Sequence, residues 1–120
     1  MIRTMLKSKI YYATVTEAEL YYKGSITIDE EIIERANLLE NEKVEVLNLY
    51  NGSRIETYVI KGKRGSGVIC LNGPAARTGV IGDKLIILSY GIYNEDEIKK
   101  QKPSFVELGD GNKIKNNHVA

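Results

Sequence analysis

Histidine and cysteine are almost missing: the 120 residues hold one of each, His118 and Cys70. One cysteine excludes a disulfide framework, and in the apolar run VICL it reads as a buried, inert thiol. One histidine, third from the end of the sequence, makes a Ser-His-Asp enzyme unexpected. The two together cannot build a zinc cluster from nitrogen and sulfur ligands, while carboxylate sites for magnesium stay open but unmotivated. Charge of one sign is lacking as well. Lys and Arg number 17 against 16 Asp and Glu, a formal charge of +1, which gives no broad field for nucleic acid or an anionic membrane. Any charged ligand must be met locally. No apolar run approaches the roughly 20 residues of a spanning helix. The opening MIRTMLKSKIYYATV alternates apolar with polar residues and lacks the apolar core and cleavage site of a signal peptide, so a cytoplasmic protein without membrane contact is expected.

Short β-rich runs fill most of the chain. IRTMLKSKI, YYATVTEAEL, SITI, KVEVLNLY, RIETYVIK, GVICLN and KLIILSY are separated by Asn-Gly, Gly-Lys-Arg-Gly-Ser-Gly or Gly-Asp. This spacing predicts a mainly β single domain over residues 1–120, a small barrel or sandwich. Between strands, DEEIIERANLLE reads as a helix capped by Asp29, with Ile32, Ala36 and Leu39 at i, i+4 and i+7. Asn51-Gly52 predicts a hairpin turn with both central residues at positive φ. The sequon Asn51-Gly52-Ser53 is read as that turn. Alternation puts Arg54, Glu56 and Tyr58 on one strand face and Ile55, Thr57 and Val59 on the other, unless a twist, bulge or strand end turns Thr57 toward the same pocket. NEDEIKKQK reads as a solvated helix or linker, and the tail FVELGDGNKIKNNHVA as one strand, a turn and a frayed end.

Phosphate motifs fail. KGKRGSGVICLNG contains neither GxxxxGK[ST] nor GxGxxG in its required setting and reads as a basic turn. Gly-Ser-Gly is one residue short of a nucleophile elbow on each side of the serine. Taken alone, Gly24-Ser25 in YYKGSITID is a tight turn before the helix. On the residues alone, a noncatalytic β-barrel binding module stands beside any enzyme.

The order of several segments changes that balance. MIRTMLKSKI with Lys9, YYKGSITID with Gly24-Ser25, LLENEKVEVLNLYNGSRIETYVI, RGSGVICLNGPAARTG and GDKLIIL, together and in register, closely resemble the aspartate 1-decarboxylases. These are pyruvoyl-dependent enzymes that make β-alanine for pantothenate and coenzyme A biosynthesis. Tyr11 stands where certain members have His, and Leu47 where some have Trp. The resemblance implies a six-stranded double-psi β-barrel with short helices, assembled as a homotetramer with active sites between subunits.

The chemistry fits that family. Loss of carbon dioxide from aspartate leaves a carbanion, which no ordinary side chain delocalises; an electron sink such as pyridoxal phosphate or a pyruvoyl group is needed. The resemblance implies a covalent pyruvoyl group made from Ser25, with no pyridoxal phosphate and no metal. Attack of Ser25 Oγ on the Gly24 carbonyl would cut the chain into a short β chain, 1–24, and a longer α chain, 25–120. The substrate, L-aspartate, would then be held as a Schiff base. Gly24, lacking a Cβ, is expected to give the loop its special backbone geometry. Thr57 is implied in self-processing and in substrate binding. Tyr58 is implied as the proton donor, since a phenol keeps its proton at neutral pH. Lys9 and Arg54 are the cations implied for the two substrate carboxylates. Tyr22, Asn72, Gly73, Pro74 and Ala75 complete the implied substrate site.

Overall fold

The structure, a computed structural model, describes residues 1–119. Apolar and polar residues alternate along most strands, so one face of each turns inward. In Lys43–Asn48, for example, Val44 and Val46 are buried while Lys43 is exposed. The strands are β1 (Arg3–Thr14), β2 (Glu17–Glu19), β3 (Ser25–Asp29), β4 (Lys43–Asn48), β5 (Arg54–Gly62), β6 (Ile69–Asn72), β7 (Lys84–Tyr93), β8 (Ser104–Leu108) and β9 (Ile114–Val119). Their inner faces supply a core that includes Ile10, Ile26, Ile28, Val59, Leu71 and Ile87, each worth about 1.5–3 kcal/mol when fully buried.

The hydrogen-bonded order is β2-β6-β3-β5-β4-β7-β1-β8-β9. Only Val15 and Thr16 separate β1 from β2, and both bond to neighbouring segments, the turn before β7 and strand β6. Val15 N donates to Asp83 O at 2.9 Å and Thr16 N to Ile69 O at 2.8 Å. β1 and β2 thus act as one bent strand, and the path β6-β3-β5-β4-β7-β1/β2 returns to β6 as a ring of six. β2 runs parallel to β6, and β3 parallel to β5. The mainly β barrel of six main strands holds, with the β8–β9 hairpin attached outside through a parallel β1–β8 pairing.

Several local expectations change. β1 runs straight through the break read between Ile10 and Tyr11, with register shifts at Leu6/Ser8 and at Tyr11/Ala13 and a positive φ of 66° at Tyr12. The helix is only α1 (Glu30–Arg35). Asp29 does cap it, accepting from Glu31 N at 2.9 Å. It stops because Asn37 turns left-handed at φ 56°, with Leu38 N bonded to Ile33 O and Asn37 N to Glu34 O. Leu39 is consequently 74% exposed, and Ile33 and Leu38 are buried instead. In the turn after β4 only Gly52 has positive φ, 73°, so the loop is longer than a two-residue turn. Asn48 N–H closes it on Ser53 O at 3.0 Å. The segment at 94–102 forms α2 (Glu95–Lys100) with a capping box at Asn94. The tail does not fray where expected: β9 pairs with β8 as far as Val119. The Gly65–Gly67 loop is a turn, as read, and its amides wrap Asp29, with Gly65 N at 3.0 Å and Gly67 N at 2.8 Å from the carboxylate. Among the described residues no helix is long and apolar enough to cross a membrane, and no cluster of His, Cys, Asp and Glu could hold a metal ion.

Candidate active site

β5 is paired along both edges, but not over the same residues. β4 covers Arg54–Tyr58, whereas β3 begins its parallel pairing only at Ile26↔Val59. The edge of β5 at Ile55–Tyr58 therefore faces a gap where β3 starts. A cavity of about 490 Å³ fills that gap, lined by Gly24, Ile55, Glu56, Thr57, Tyr58, Pro74, Ala75 and Thr78. Because the cavity meets the strand edge-on, side chains from both faces of β5 reach it. This is how Thr57 and Tyr58, adjacent and opposite by alternation, come to line one space.

The Gly24–Ser25 peptide lies at the inner end of this gap. Ser25, the first residue of β3, is 0% exposed and pairs with Asn72 of β6. Its Oγ accepts from Asn72 Nδ2 at 2.9 Å and donates to Lys23 O at 3.3 Å. The other hydrogen of the same amide goes to Thr27 Oγ1 at 2.8 Å. Cys70 Sγ donates to Asn72 Oδ1 at 3.1 Å, which fixes the amide the right way round, because a neutral thiol is a poor acceptor for N–H. Burial, with the Glu17 and Glu19 carboxylates adding to it, pushes that thiol up to about 11, so it keeps its proton. Cys70 and Thr27 were absent from the expected site. The antiparallel register of β3 and β6 is the signal for them, because counting two residues from Ser25 and from Asn72 along one face reaches both.

Glycine matters here at a different position from the one expected. Gly24 is not among the positive-φ residues, and an added Cβ would meet only Pro74 Cδ at 3.6 Å, an ordinary contact. Gly73 carries the constraint. Its φ is +65°, and a Cβ there would lie 2.5 Å from Tyr22 O and 2.9 Å from Gly24 N. Gly73 opens the 3-10 turn Gly73–Arg77, which presses against the Gly24 backbone. Gly73→Ala should therefore lose at least the ~1–2 kcal/mol of a left-handed non-glycine residue, read as a lower urea midpoint. Gly24→Ala should lose less stability.

The cations lie elsewhere. Lys9 pairs with Leu88, Leu88 with Glu45 and Glu45 with Glu56, so Lys9 and the Arg54 region share the outer face of one sheet. Three strand spacings separate them, roughly 14 Å. One chain does not bring the two cations together, and neither lines the cavity. Arg54 Nη1 is bound to Glu45 Oε1 at 3.0 Å, an oxygen that also accepts from Tyr90 OH at 2.8 Å. Burial first and then Glu45 raise the Tyr90 phenol. Lys9 Nζ lies 5.7 Å from the Tyr11 ring centroid. Tyr22 is exposed and lines a separate hollow with Tyr21 and Lys23, although its carbonyl abuts Gly73.

Comparison with known proteins agrees with the segment order. The family model for aspartate decarboxylase matches residues 1–115. An aspartate 1-decarboxylase of Clostridium beijerinckii is 62% identical over 115 residues, covering 96% of this chain and 93% of its own. One from Bacillus cereus is 57% identical over 114 residues, covering 95% and 90%. Among solved structures, the rationally designed protein mkDPBB_sym_86 matches 64% of this chain and 90% of its own, at a TM-score of 0.49 and 16% identity. On a match this long to the family model and to its sequence relatives, the chain belongs to the aspartate decarboxylase family.

Proposed function

We propose that this chain converts L-aspartate to β-alanine and carbon dioxide, using a pyruvoyl group that it makes from Ser25, and so feeds pantothenate and coenzyme A biosynthesis in the cytoplasm. The observation that carries this reading is the Gly24–Ser25 peptide at one end of a cavity whose other wall bears Thr57 and Tyr58. Asn72 gives the fit. Its Nδ2 donates to Ser25 Oγ at 2.9 Å, and a donor there suits that oxygen both as the attacking hydroxyl and as it passes to the Gly24 carboxylate. The pyruvoyl group supplies an electron sink beside the substrate carboxylate, chemistry that no ordinary side chain offers.

Maturation uses the chain's own groups. Ser25 Oγ adds to the Gly24 carbonyl carbon and the peptide nitrogen leaves, turning the amide into an ester. Loss of the Ser25 Cα proton expels Gly24 as a carboxylate that keeps the serine oxygen. Water then replaces the α-nitrogen, which departs as ammonia. Thr57 lines the same cavity as Gly24, and in this scheme its hydroxyl supports the oxyanion formed at that carbonyl. Tyr58, on the same wall, donates the proton that restores the substrate carbon. Pro74 and Ala75 close the opposite side.

A homotetramer with active sites between subunits belongs to the same reading. Lys9 and Arg54 lie outside the cavity of their own chain, so a neighbour has to complete the cationic part of the site. Exposed apolar side chains, among them Ile2, Leu49, Val80, Ile81 and Ile92, offer surface for such an assembly. Denaturing mass spectrometry tests the central step. Matured protein should give two pieces, residues 1–24 and 25–120, the larger without a free amino terminus. A chain that remains whole while it turns over aspartate would refute self-processing.

A further inference from the structure

One carbonyl at the rim of the cavity collects three side-chain donors. Thr78 O accepts from Asn51 Nδ2 at 2.8 Å, from Asn48 Nδ2 at 3.2 Å and from Ser53 Oγ at 3.3 Å. A carbonyl has two lone pairs, so three donors exceed what it can satisfy well, and the shortest contact dominates. That contact belongs to Asn51, an exposed residue of the loop between β4 and β5. The Asn51 amide works at both ends. Its Oδ1 accepts from Ser53 N at 2.9 Å and shapes the loop, while its Nδ2 reaches 27 residues along the chain to Thr78. Asn48 is held independently, donating to Asp83 Oδ2 at 2.9 Å and accepting from Tyr50 N at 2.9 Å. The Asn48 amide and Val80 N–H in turn hold the Asp83 carboxyl below its usual range, so it stays an acceptor.

What Thr78 joins explains why the contact matters. Thr78 caps the 3-10 turn that starts at Gly73 against the Gly24 backbone and carries Pro74 and Ala75 into the cavity. The loop of Asn51 leads straight into β5, whose residues Ile55–Tyr58 form the facing wall. The two walls share no strand pairing. We propose that Asn51 is a positioning residue, tying the 3-10 turn to the β4–β5 loop and so setting the width of the substrate site. This rests on the decarboxylase reading for the identity of the substrate, an acidic amino acid, but the tie itself does not.

Asn51→Asp separates the tie from the loop. An aspartate still accepts from Ser53 N and suits a turn before Gly52, so the loop keeps its shape. It has no N–H to give, and it turns an anionic oxygen toward the Thr78 carbonyl. The KM for aspartate should rise roughly five- to tenfold, the scale of one lost hydrogen bond, with a much smaller change in kcat. Hydrogen exchange at the Thr78 and Gly79 amides should speed up by a similar factor. Ser53→Ala, which removes the longest contact, should do less on both counts. Wild-type KM and wild-type exchange in Asn51→Asp would overturn the proposal. If the unmutated protein fails to turn over aspartate, it is the functional reading that fails. The exchange measurement then decides the tie alone, and unchanged exchange rejects it.

Discussion

Ser25→Ala leaves one uncut chain that releases no carbon dioxide from aspartate. Alanine has no oxygen to add to the Gly24 carbonyl, so the peptide stays an amide and no carbonyl group forms at residue 25. The loss should not arise from unfolding. Ser25 is buried at the start of β3, and its hydroxyl takes one of the two Asn72 amide hydrogens. When it is removed, Thr27 Oγ1 still accepts from Asn72 at 2.8 Å, and Cys70 still holds the other end of that amide. Asn72 keeps a partner at each end of its amide, and the Lys23 carbonyl, which loses the Ser25 hydroxyl, belongs to an exposed residue, so the stability cost stays near the ~1 kcal/mol of a single hydrogen bond. Intact mass, a melting curve and a β-alanine assay on the same preparation check all three statements. A folded, uncut Ser25→Ala protein that decarboxylates aspartate without added cofactor would sink the proposed chemistry.

Local signals in the sequence are those that depend on a few neighbouring residues. Asp29 as a cap, the Gly65–Gly67 turn and the strand at SITI follow from side-chain chemistry and alternation, and the structure keeps them. What sequence could not supply is register between distant strands. The cavity exists because β3 covers β5 only from Val59 onward, a fact about where two parallel strands begin, and alternation along either strand is silent on it. The same limit explains Lys9 and Arg54. Each reads as a cation on a strand, and only the pairing β1-β7-β4-β5 shows two strands lying between them. The special glycine was misplaced for a related reason. Gly24 and Gly73 both precede strand or turn signals, and only the packing of the 3-10 turn onto Gly24 singles out Gly73 as the one without room for a side chain. Asn37 was missed because asparagine tolerates the left-handed conformation well enough to end α1 without a glycine.

Tyr58→Phe should mature normally and then turn over aspartate about 10²–10⁴ times more slowly, the range expected when a positioned general acid is removed. The ring stays, so the contacts that keep Tyr58 half-buried on β5 stay with it, as does its strand pairing with Lys43. Maturation needs Ser25, the Gly24 carbonyl, Asn72 and Thr57, none of which depends on the phenol in the proposed scheme. The parallel register Ile26↔Val59 sets Tyr58 level with Ser25, one residue earlier on each strand, and Tyr58 lines the cavity that Gly24 also lines, as the proposed proton donor must. Loss of a proton donor acts after substrate has bound, and the fall should therefore appear in kcat with KM nearly unchanged. This pattern is the opposite of the one expected for Asn51→Asp, where the site changes width and KM carries the effect. The two variants, assayed side by side on fully cleaved protein, tell a group that acts on the reacting carbon from one that holds the walls apart. A cleaved Tyr58→Phe protein with the wild-type kcat would remove Tyr58 from the chemistry and leave it as a packing residue of β5.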